Sequence, residues 1–181
     1  MAAYRRFLVL GGARSGKSRQ ALALSEADGR TRVFVATAQA HDDEMRDRIA
    51  RHRAQRRAGW RTREAPLDLP EAIREESAPD RVLVVDCLTL WLSNVMLAGQ
   101  EPGEATEALV RATAEAAGPL ILVSNEVGQG IVPSTPLGRA FRDAQGRLNQ
   151  EIAAVCDAVI LVVAGCPTLI KPRPPLGLTL A

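Results

Sequence analysis

Eight residues near the start of the chain, "GGARSGKS" from Gly11 to Ser18, restrict its fold more than any other stretch. They follow the apolar run "FLVL" and share their last residue, Ser18, with "SRQALALSEA", which has helical spacing. The pattern G-x-x-x-x-G-K-S between a strand and a helix is typical of a loop that surrounds phosphate groups. It predicts a nucleotide-binding layer of strands and helices. The alternative is a chance glycine turn before a helix.

The residue types of this loop suit contact with a nucleotide. Gly11 and Gly16 allow the backbone to wind closely around phosphate oxygens. Lys17 supplies a catalytic cation to the terminal phosphates, and Ser18 offers a hydroxyl to Mg²⁺. We predict that the whole loop binds ATP or GTP, through Gly11, Gly12, Ala13, Arg14, Ser15, Gly16, Lys17 and Ser18.

Five apolar runs recur with helix-like segments between them. They are "FLVLG" from Phe7, "VFVAT" from Val33, "VLVVD" from Val82, "LILVS" from Leu120 and "VILVV" from Val159. Runs that are apolar on both faces predict strands covered on both sides, and strands that alternate with helices predict a parallel sheet. We therefore predict an α/β fold with a mainly parallel, doubly wound sheet of the P-loop nucleoside triphosphate-binding type.

The limits of the domain follow from length and proline content. A chain of 181 residues suits one domain, which we place at residues 1–171. Residues 172–181 form a proline-rich tail that we predict to be irregular. The segments "EAPLDLP" around Pro66 and "SNEVGQGIVPSTP" from Ser124 are also expected to be irregular. The helix "LGRAFRDAQGRLNQEIAAVC" is expected to turn Leu137, Phe141, Leu148, Ile152 and Val155 to the core, opposite a polar stripe of Arg139, Arg142, Asp143, Gly146 and Asn149.

Composition excludes several classes of protein. The net charge of +2 and an aromatic content of 3% do not fit a dedicated nucleic-acid binder. The apolar runs are too short for a signal-peptide core or a membrane span, which predicts a cytoplasmic protein. The three cysteines, Cys87, Cys156 and Cys166, show neither zinc-ligand nor disulfide spacing, and the first two are expected to be core residues.

Two further segments carry candidate functional residues. Asp86 ends the run "VLVVD", where a carboxylate holds Mg²⁺ or its water in such sites; the alternative is that it caps the next helix. The segment "HDDEMRDRIARHRAQRR" begins acidic and ends basic, as a helix prefers. It places His52 among arginines, where the residue is either an ordinary helix residue or a nucleophile.

Several motifs taken together resemble one enzyme family. "GGARSGKS", "DDEM" with "RI" and "HR" behind it, "VDCLTLWLSN", "SNEVGQGIVP" and "GRAFRDAQGRLNQ" are similar to the bifunctional adenosylcobinamide kinase / adenosylcobinamide-phosphate guanylyltransferase family of cobalamin biosynthesis. The resemblance implies that ATP or GTP phosphorylates adenosylcobinamide, and that GTP then donates GMP to adenosylcobinamide phosphate with release of pyrophosphate. It also implies a homotrimer.

The resemblance implies a GMP–histidine intermediate, and the matching position is His52. A neutral imidazole attacks the α-phosphorus of GTP and forms a phosphoramidate, which divides one difficult displacement into two easier ones. Arg53 and Arg56 flank His52 and are expected to bind phosphate oxygens. The family often has two consecutive histidines here, whereas Arg51 precedes His52 in this chain.

Base recognition is assigned to residues near two strand ends. Glu64 matches the family position at which a carboxylate accepts hydrogen bonds from guanine, and the alternative is an exposed loop glutamate. Thr37 and Gln39 are expected to line the same pocket. Asn125 and Glu126 follow the fourth apolar run, where a substrate hydroxyl or a Mg²⁺-bound water is met, but no general base is identified.

Two other functions stay open from the residues alone. One is a kinase that keeps the phosphate loop while His52 is incidental. The other is a nucleotide-dependent switch that binds nucleic acid through the arginine-rich helix.

Overall fold

The computed structural model describes residues 4–27, 29–40, 43, 46–47, 50, 56 and 58–173. These residues form a sheet flanked by helices on both faces. The strands are β1 (Arg6–Gly11), β2 (Thr31–Ala36), β3 (Trp60–Glu64), β4 (Arg81–Asp86), β5 (Leu120–Asn125), β6 (Ala158–Val163) and β7 (Cys166–Lys171). The described helices are α1 (Lys17–Glu26), α2 (Leu69–Glu76), α3 (Leu88–Leu97), α4 (Pro102–Glu115) and α5 (Pro136–Val155).

The sheet has seven strands in the order β3-β2-β4-β5-β1-β6-β7. All neighbouring strands are parallel except β6 and β7, which are antiparallel. The predicted α/β class and mainly parallel sheet are therefore confirmed. β1 lies between β5 and β6, so the segments that follow the carboxyl ends of β1, β4 and β5 meet at one edge of the sheet.

Side chains enter two cores, one on each face of the sheet. Successive strand residues point to opposite faces, so Leu8 belongs to one core and Val9 to the other. Helices α2 to α5 cover the first core, with Ile73 and Trp91 among the buried side chains. Helix α1 covers the second core through Ala21. This two-sided coverage explains why the central strands read as continuous apolar runs.

All five predicted strands are present, but the two edge strands were not predicted. The side chains of β3 and β7 are mostly exposed, so neither strand forms an apolar run. Helices α1 and α5 match the predicted segments. Of the segment "EAPLDLP", only Ala65 to Asp68 are irregular. Glu64 ends β3, and Leu69 and Pro70 already form the first turn of α2, where proline is tolerated.

Two expectations for α5 are wrong. Leu148 and Ile152 are fully buried as expected, whereas Leu137 is 58% exposed because it lies in the first turn, next to an exposed loop. Asn149 was placed in the polar stripe but is only 6% exposed. It is buried because its side chain hydrogen-bonds Ser124 and the backbone of Asn125.

Several expectations fall on residues outside the described part. Asp43, Arg46, Asp47 and Ala50 have helical conformation, in agreement with the predicted arginine-rich helix. His52 and Arg53 lie outside the described residues. Of the predicted tail, Pro172 and Arg173 belong to no helix or strand, and residues 174–181 are outside the described part. Within the described ranges, no helix combines the length and apolar character that crossing a membrane requires.

Candidate active site

The loop between β1 and α1 has a backbone conformation that requires glycine at particular positions. Gly16, the N-cap residue of α1, has φ 97°, and Arg14 has φ 56°, so both are left-handed. A Cβ atom on Gly11 would lie 2.4 Å from Ser15 Oγ and 2.6 Å from the carbonyl oxygen of Val162. These distances exclude a side chain at Gly11, and the left-handed conformation at Gly16 favours glycine.

The polar groups of this loop suit an anion. The first N–H groups of α1 have no partner within the helix, and Gly16 provides no side-chain cap. The positive end of the helix dipole adds to their attraction for phosphate. Lys17 Nζ donates a hydrogen bond to the carbonyl oxygen of Gly12 at 3.0 Å, which holds its ammonium group at the loop. Ser18 lies in the same first turn and is half-buried.

The turn between β6 and β7 supports this loop. Ala164 and Gly165 connect the two strands with φ 51° and 81°, as expected for a two-residue hairpin turn. The N–H of Gly165 donates to the carbonyl oxygen of Ser15 at 2.8 Å. A Cβ atom on Gly16 would lie 3.3 Å from Gly165 Cα, so the two backbones are in close contact. Sequence reasoning missed this contact, although "AG" between two strands is a readable turn signal.

Asp86 ends β4 and is half-buried. The alternative that it caps the next helix is wrong, because Cys87 is the N-cap residue of α3. Burial, followed by the charge of Asp86, raises the pKa of the Cys87 thiol to about 11, while the charge of Lys17 acts in the opposite direction. The Cys87 thiol is therefore within electrostatic range of both Lys17 and Asp86, which lie at the same edge of the sheet.

The oxygen atoms of Ser18 and Asp86 fit a magnesium ion that arrives with a nucleotide. Mg²⁺ prefers hard oxygen ligands and is usually bound by one or two protein groups together with substrate phosphates and water. Among the described residues, no cluster of three or more histidine, cysteine or acidic side chains is arranged to hold a metal ion. This donor set suits an ion shared with a triphosphate.

Thr37 is fully buried, and its hydroxyl fixes the chain immediately after Asp86. The hydroxyl donates to the carbonyl oxygen of Cys87 at 2.7 Å and accepts from the N–H of Cys87 at 2.8 Å. Asn94 Nδ2 in turn donates to the carbonyl oxygen of Thr37 at 2.9 Å. The side chain of Thr37 thus acts within the protein, as a link between the ends of β2 and β4.

Gln39 and Glu64 lie in the wall of one cavity, as the predicted base pocket requires. The cavity has a volume of about 490 Å³, within the usual range for small-molecule sites. Glu64 is exposed, but it is the last residue of β3 and therefore not a loop residue. The cavity is lined by Ala38, Gln39, Ala40, Arg46, Ala50, Glu64 and Pro66, and Thr37 is not among them. Arg46 is a cationic lining residue that sequence reasoning did not single out.

Arg56 packs on the outer strands of the sheet near this cavity. Its guanidinium carbon lies 3.9 Å from the centre of the Phe34 ring, within range of a cation–π interaction. Its Nη2 donates to Thr62 Oγ1 at 3.4 Å. Thr62 and Glu64 are two positions apart on β3 and therefore point to the same face.

The site and the fold together define a class of protein. A mainly parallel sheet, a glycine-rich loop that opens a helix with Lys17 and Ser18, and an aspartate at a nearby strand end define a P-loop nucleoside triphosphate-binding protein. The sequence model of the family described as "Cobinamide kinase / cobinamide phosphate guanyltransferase" matches residues 7–170. The chain belongs to this family.

Curated relatives agree over nearly their whole length. The bifunctional adenosylcobalamin biosynthesis protein CobP of Pseudomonas aeruginosa is 49% identical over 171 residues, which cover 93% of this chain and 99% of the relative. The bifunctional adenosylcobalamin biosynthesis protein CobU of Salmonella typhimurium is 41% identical over 179 residues, which cover 91% and 98%.

Solved structures that resemble the chain confirm the fold alone. A prototypical ATPase from the type III secretion system of pathogenic bacteria matches with a TM-score of 0.54 at 14% identity. The type III secretion ATPase EscN of enteropathogenic E. coli matches with a TM-score of 0.53, also at 14% identity. The matches cover 87% and 89% of this chain but only 50% and 43% of those ATPase chains.

Proposed function

We propose that this chain catalyses two consecutive steps of cobalamin biosynthesis. In the first, ATP or GTP phosphorylates the aminopropanol hydroxyl of adenosylcobinamide. In the second, GTP transfers GMP to adenosylcobinamide phosphate and pyrophosphate is released. Membership of the kinase and guanyltransferase family over residues 7–170 carries this proposal. The phosphate loop supports it, because it provides the triphosphate site that both reactions need.

The loop residues Gly11 to Ser18 bind the phosphates in this proposal. Their N–H groups and the Lys17 ammonium stabilise negative charge that builds up on the phosphoryl oxygens. Ser18 and Asp86 provide oxygen ligands for Mg²⁺, which neutralises part of the triphosphate charge when it is bound. Asp86 is held in place by the link from Thr37 to Cys87.

The cavity beside Gln39 and Glu64 receives the guanine base in this proposal. The Glu64 carboxylate accepts hydrogen bonds from the guanine N1–H and 2-amino groups, while the Gln39 amide both donates and accepts. Adenine offers no such pair of donors on that edge, so the cavity favours GTP. Thr37 contributes by fixing the end of β2, two residues before Gln39.

His52 is the GMP-carrying nucleophile in this proposal. Ala50 lines the cavity, Arg56 packs on β3 beside the position of Glu64, and His52 lies between them in sequence. The imidazole attacks the α-phosphorus of GTP, the bond from the α-phosphorus to the bridging oxygen breaks, and pyrophosphate leaves. Arg53 and Arg56 supply positive charge to the transferred phosphate.

The proposal extends to the setting in which the enzyme works. We expect a homotrimer in the cytoplasm that does not bind nucleic acid. The balanced net charge of +2 supports the last point. Light scattering tests the trimer, and binding to mixed oligonucleotides at low salt tests the absence of nucleic-acid affinity.

The first experiment is the intact mass of the protein after incubation with GTP and Mg²⁺, followed by peptide mapping at alkaline pH, since a phosphoramidate is acid-labile. We expect one GMP on His52. His52→Asn should lose the adduct and GMP transfer but keep phosphorylation of adenosylcobinamide. His41→Asn, which changes the other of the two histidines, is the matched control and should keep both activities. Lys17→Ala should weaken both.

Each failure has a distinct meaning. If wild-type protein binds GTP but carries no adduct even when pyrophosphate is removed, the chain is a kinase alone. An adduct on a residue other than His52 would refute the assignment of the nucleophile while leaving both activities in place. Equal loss of both reactions in folded His52→Asn would contradict the division of roles between His52 and the loop.

A further inference from the structure

The segment Ser124–Glu126 is attached directly to the phosphate loop. In the sheet, Asn125 at the end of β5 lies beside Gly11 at the end of β1. The N–H of Glu126 donates to the carbonyl oxygen of Gly11 at 3.2 Å, which continues the ladder one residue past the strand. Glu126 is therefore anchored by its backbone to the first residue of the loop.

A buried polar network holds this segment from the other side. Ser124 Oγ donates to Asn149 Oδ1 at 2.7 Å, and Gln145 Nε2 donates to Ser124 Oγ at 3.0 Å and to Asn149 Oδ1 at 3.0 Å. Asn149 Nδ2 donates to the carbonyl oxygen of Asn125 at 3.1 Å. Ser124 and Gln145 are fully buried. Buried polar groups are costly unless they are paired, so the bonds of Ser124 Oγ and of the Asn149 amide favour one geometry for the strand end, while Gln145 Oε1 has no partner among the described residues.

The N–H of Asn125 is held as well, because it donates to Thr89 Oγ1 of α3 at 2.8 Å. The backbone that leads into Glu126 thus has few ways to move. Glu126 Oε1 accepts from the N–H of Gly128 at 2.9 Å, which orients the half-buried carboxylate within its own loop. A carboxylate has about four acceptor positions, so this bond leaves capacity for another donor.

The position of Glu126 distinguishes it from the other acidic residues. The two strands next to β1 are β5 and β6. β6 continues into the turn Ala164–Gly165, which has no acidic side chain, whereas β5 continues into Glu126. Asp86 belongs to β4, one strand further away, and is assigned to Mg²⁺ above. Glu126 is therefore the carboxylate that follows a direct neighbour of the phosphate-loop strand.

We propose that Glu126 accepts the proton of the corrinoid hydroxyl during phosphorylation, and that Ser124, Gln145 and Asn149 position it; this role rests on the proposed kinase function. The hydroxyl oxygen forms a bond to the γ-phosphorus, and the bond from the γ-phosphorus to the β–γ bridging oxygen breaks. The hydroxyl proton passes to the Glu126 carboxylate. The products are the phosphate ester and a nucleoside diphosphate.

The second reaction does not need this proton acceptor. Its incoming nucleophile is a phosphate monoester, whose second pKa is near 6, so the attacking oxygen is already deprotonated at pH 8. Glu126 is thus a catalytic residue for phosphorylation alone. This separates it from Lys17, which serves both reactions, and from His52, which serves the second.

The test measures the two reactions separately at pH 8. Glu126→Gln keeps the size of the side chain and the bond to Gly128 but removes the base. We expect its kcat for ADP formation with ATP and adenosylcobinamide to fall by about 10²- to 10⁴-fold, the usual contribution of a general base, with KM for ATP nearly unchanged. GMP transfer from GTP to supplied adenosylcobinamide phosphate should stay within about twofold of wild type. Glu151→Gln, on the exposed side of α5, is the matched control and should keep both rates.

The positioning role has its own readout. Asn149→Leu removes the bond to the backbone of Asn125 and should lower kcat for phosphorylation while GMP transfer persists. That continuing transfer also shows that the nucleotide site is folded. In the double variant with Glu126→Gln, the Asn149 change should have little further effect, since it acts through Glu126.

Three results would overturn the proposal. One is phosphorylation at the wild-type rate in Glu126→Gln. Another is an equal fall of both reactions in Glu126→Gln, which would mean that the residue supports the loop and not the proton transfer. The third is wild-type protein that makes no ADP with adenosylcobinamide, which would refute the proposed kinase function and this role with it. The third result is seen in the wild-type protein, whereas the first two are seen only in Glu126→Gln. Failure of the proposed kinase function is therefore distinguishable from failure of the role of Glu126.

Discussion

Replacement of Thr37 by valine tests the link between the ends of β2 and β4. Valine has nearly the same shape as threonine but no hydroxyl. The change leaves the N–H of Cys87 without the partner that now lies 2.8 Å away, while the carbonyl oxygen of Cys87 loses its 2.7 Å bond but keeps the N–H of Trp91 at 3.2 Å. An unsatisfied buried polar group costs about 1–3 kcal/mol. The unsatisfied N–H predicts a loss of about 1–3 kcal/mol and the lost bond of the carbonyl about 0.5–1.5 kcal/mol, together about 1.5–4.5 kcal/mol of the free energy of unfolding, a large part of the roughly 5–15 kcal/mol of an ordinary domain.

The matched variant is Thr37→Ser, which keeps the hydroxyl and removes one methyl group, at a cost of about 1 kcal/mol. Urea unfolding of both variants measures the difference. With m of about 2 kcal/mol/M, the midpoint of Thr37→Val should fall by about 0.8–2.2 M. Because Asp86 precedes Cys87, Mg²⁺-dependent affinity for the triphosphate should also fall in the valine variant. Equal stability of the valine and serine variants would refute the bridging role of the hydroxyl.

Two further predictions concern titratable groups. Burial raises the pKa of the Cys87 thiol to about 11 and that of the Cys156 thiol to about 12, whereas Cys166 is exposed. Since the thiolate is the reactive form, a thiol reagent at pH 8 should label Cys166 alone in native protein and all three cysteines in denaturant; native labelling of Cys87 would contradict this. Burial acts to raise the pKa of the Asp157 carboxyl, but hydrogen bonds from Arg6 and Arg5 outweigh it and lower that pKa below its ordinary value of 3.8. Asp157→Asn should therefore cost stability at pH 7. The difference from wild type should shrink as the pH falls below 3.8, because the carboxyl of the unfolded chain is protonated first, and it should vanish once the folded carboxyl is protonated as well. A difference that is the same at pH 3 and pH 7 in urea unfolding would refute the ionic contribution.

The fold was predictable from the sequence where burial is two-sided. β1, β2, β4, β5 and β6 are covered on both faces, so their sequences are apolar runs. β3 reads "WRTRE" and β7 reads "CPTLIK" because edge strands face solvent and need no apolar run. Neither has the alternation that would mark a half-buried strand, so both were missed.

Periodicity also failed where polar residues are buried. In α5, the helical pattern assigns Asn149 to solvent. Sequence alone does not show that Ser124 and Asn125 of β5 lie within hydrogen-bond distance of its side chain. Leu137 was wrongly assigned to the core, since the pattern does not show that the first turn of α5 lies next to an exposed loop. Both errors come from tertiary context, which local patterns do not contain.

The candidate site divides in the same way. The phosphate loop was predictable because its backbone demands glycine at Gly11 and Gly16. The shared cavity of Gln39 and Glu64 followed from the family resemblance and is present in the structure, while their role in binding guanine stays a prediction. The bond from Gly165 to the phosphate loop and the polar network around Glu126 join segments that are far apart in sequence. No local sequence motif therefore predicts them.

The bond from Gly165 to Ser15 also has a consequence for protein synthesis. The loop leaves the ribosome before the turn that supports it, because 150 positions separate Ser15 from Gly165. β1 likewise lies between β5 and β6, so it stays without a neighbouring strand until β5 has been made. A nascent chain that ends before β6 carries the complete phosphate-binding motif but lacks the structure that shapes it. We therefore expect affinity for nucleotide to arise only after β6 and the turn Ala164–Gly165 have emerged.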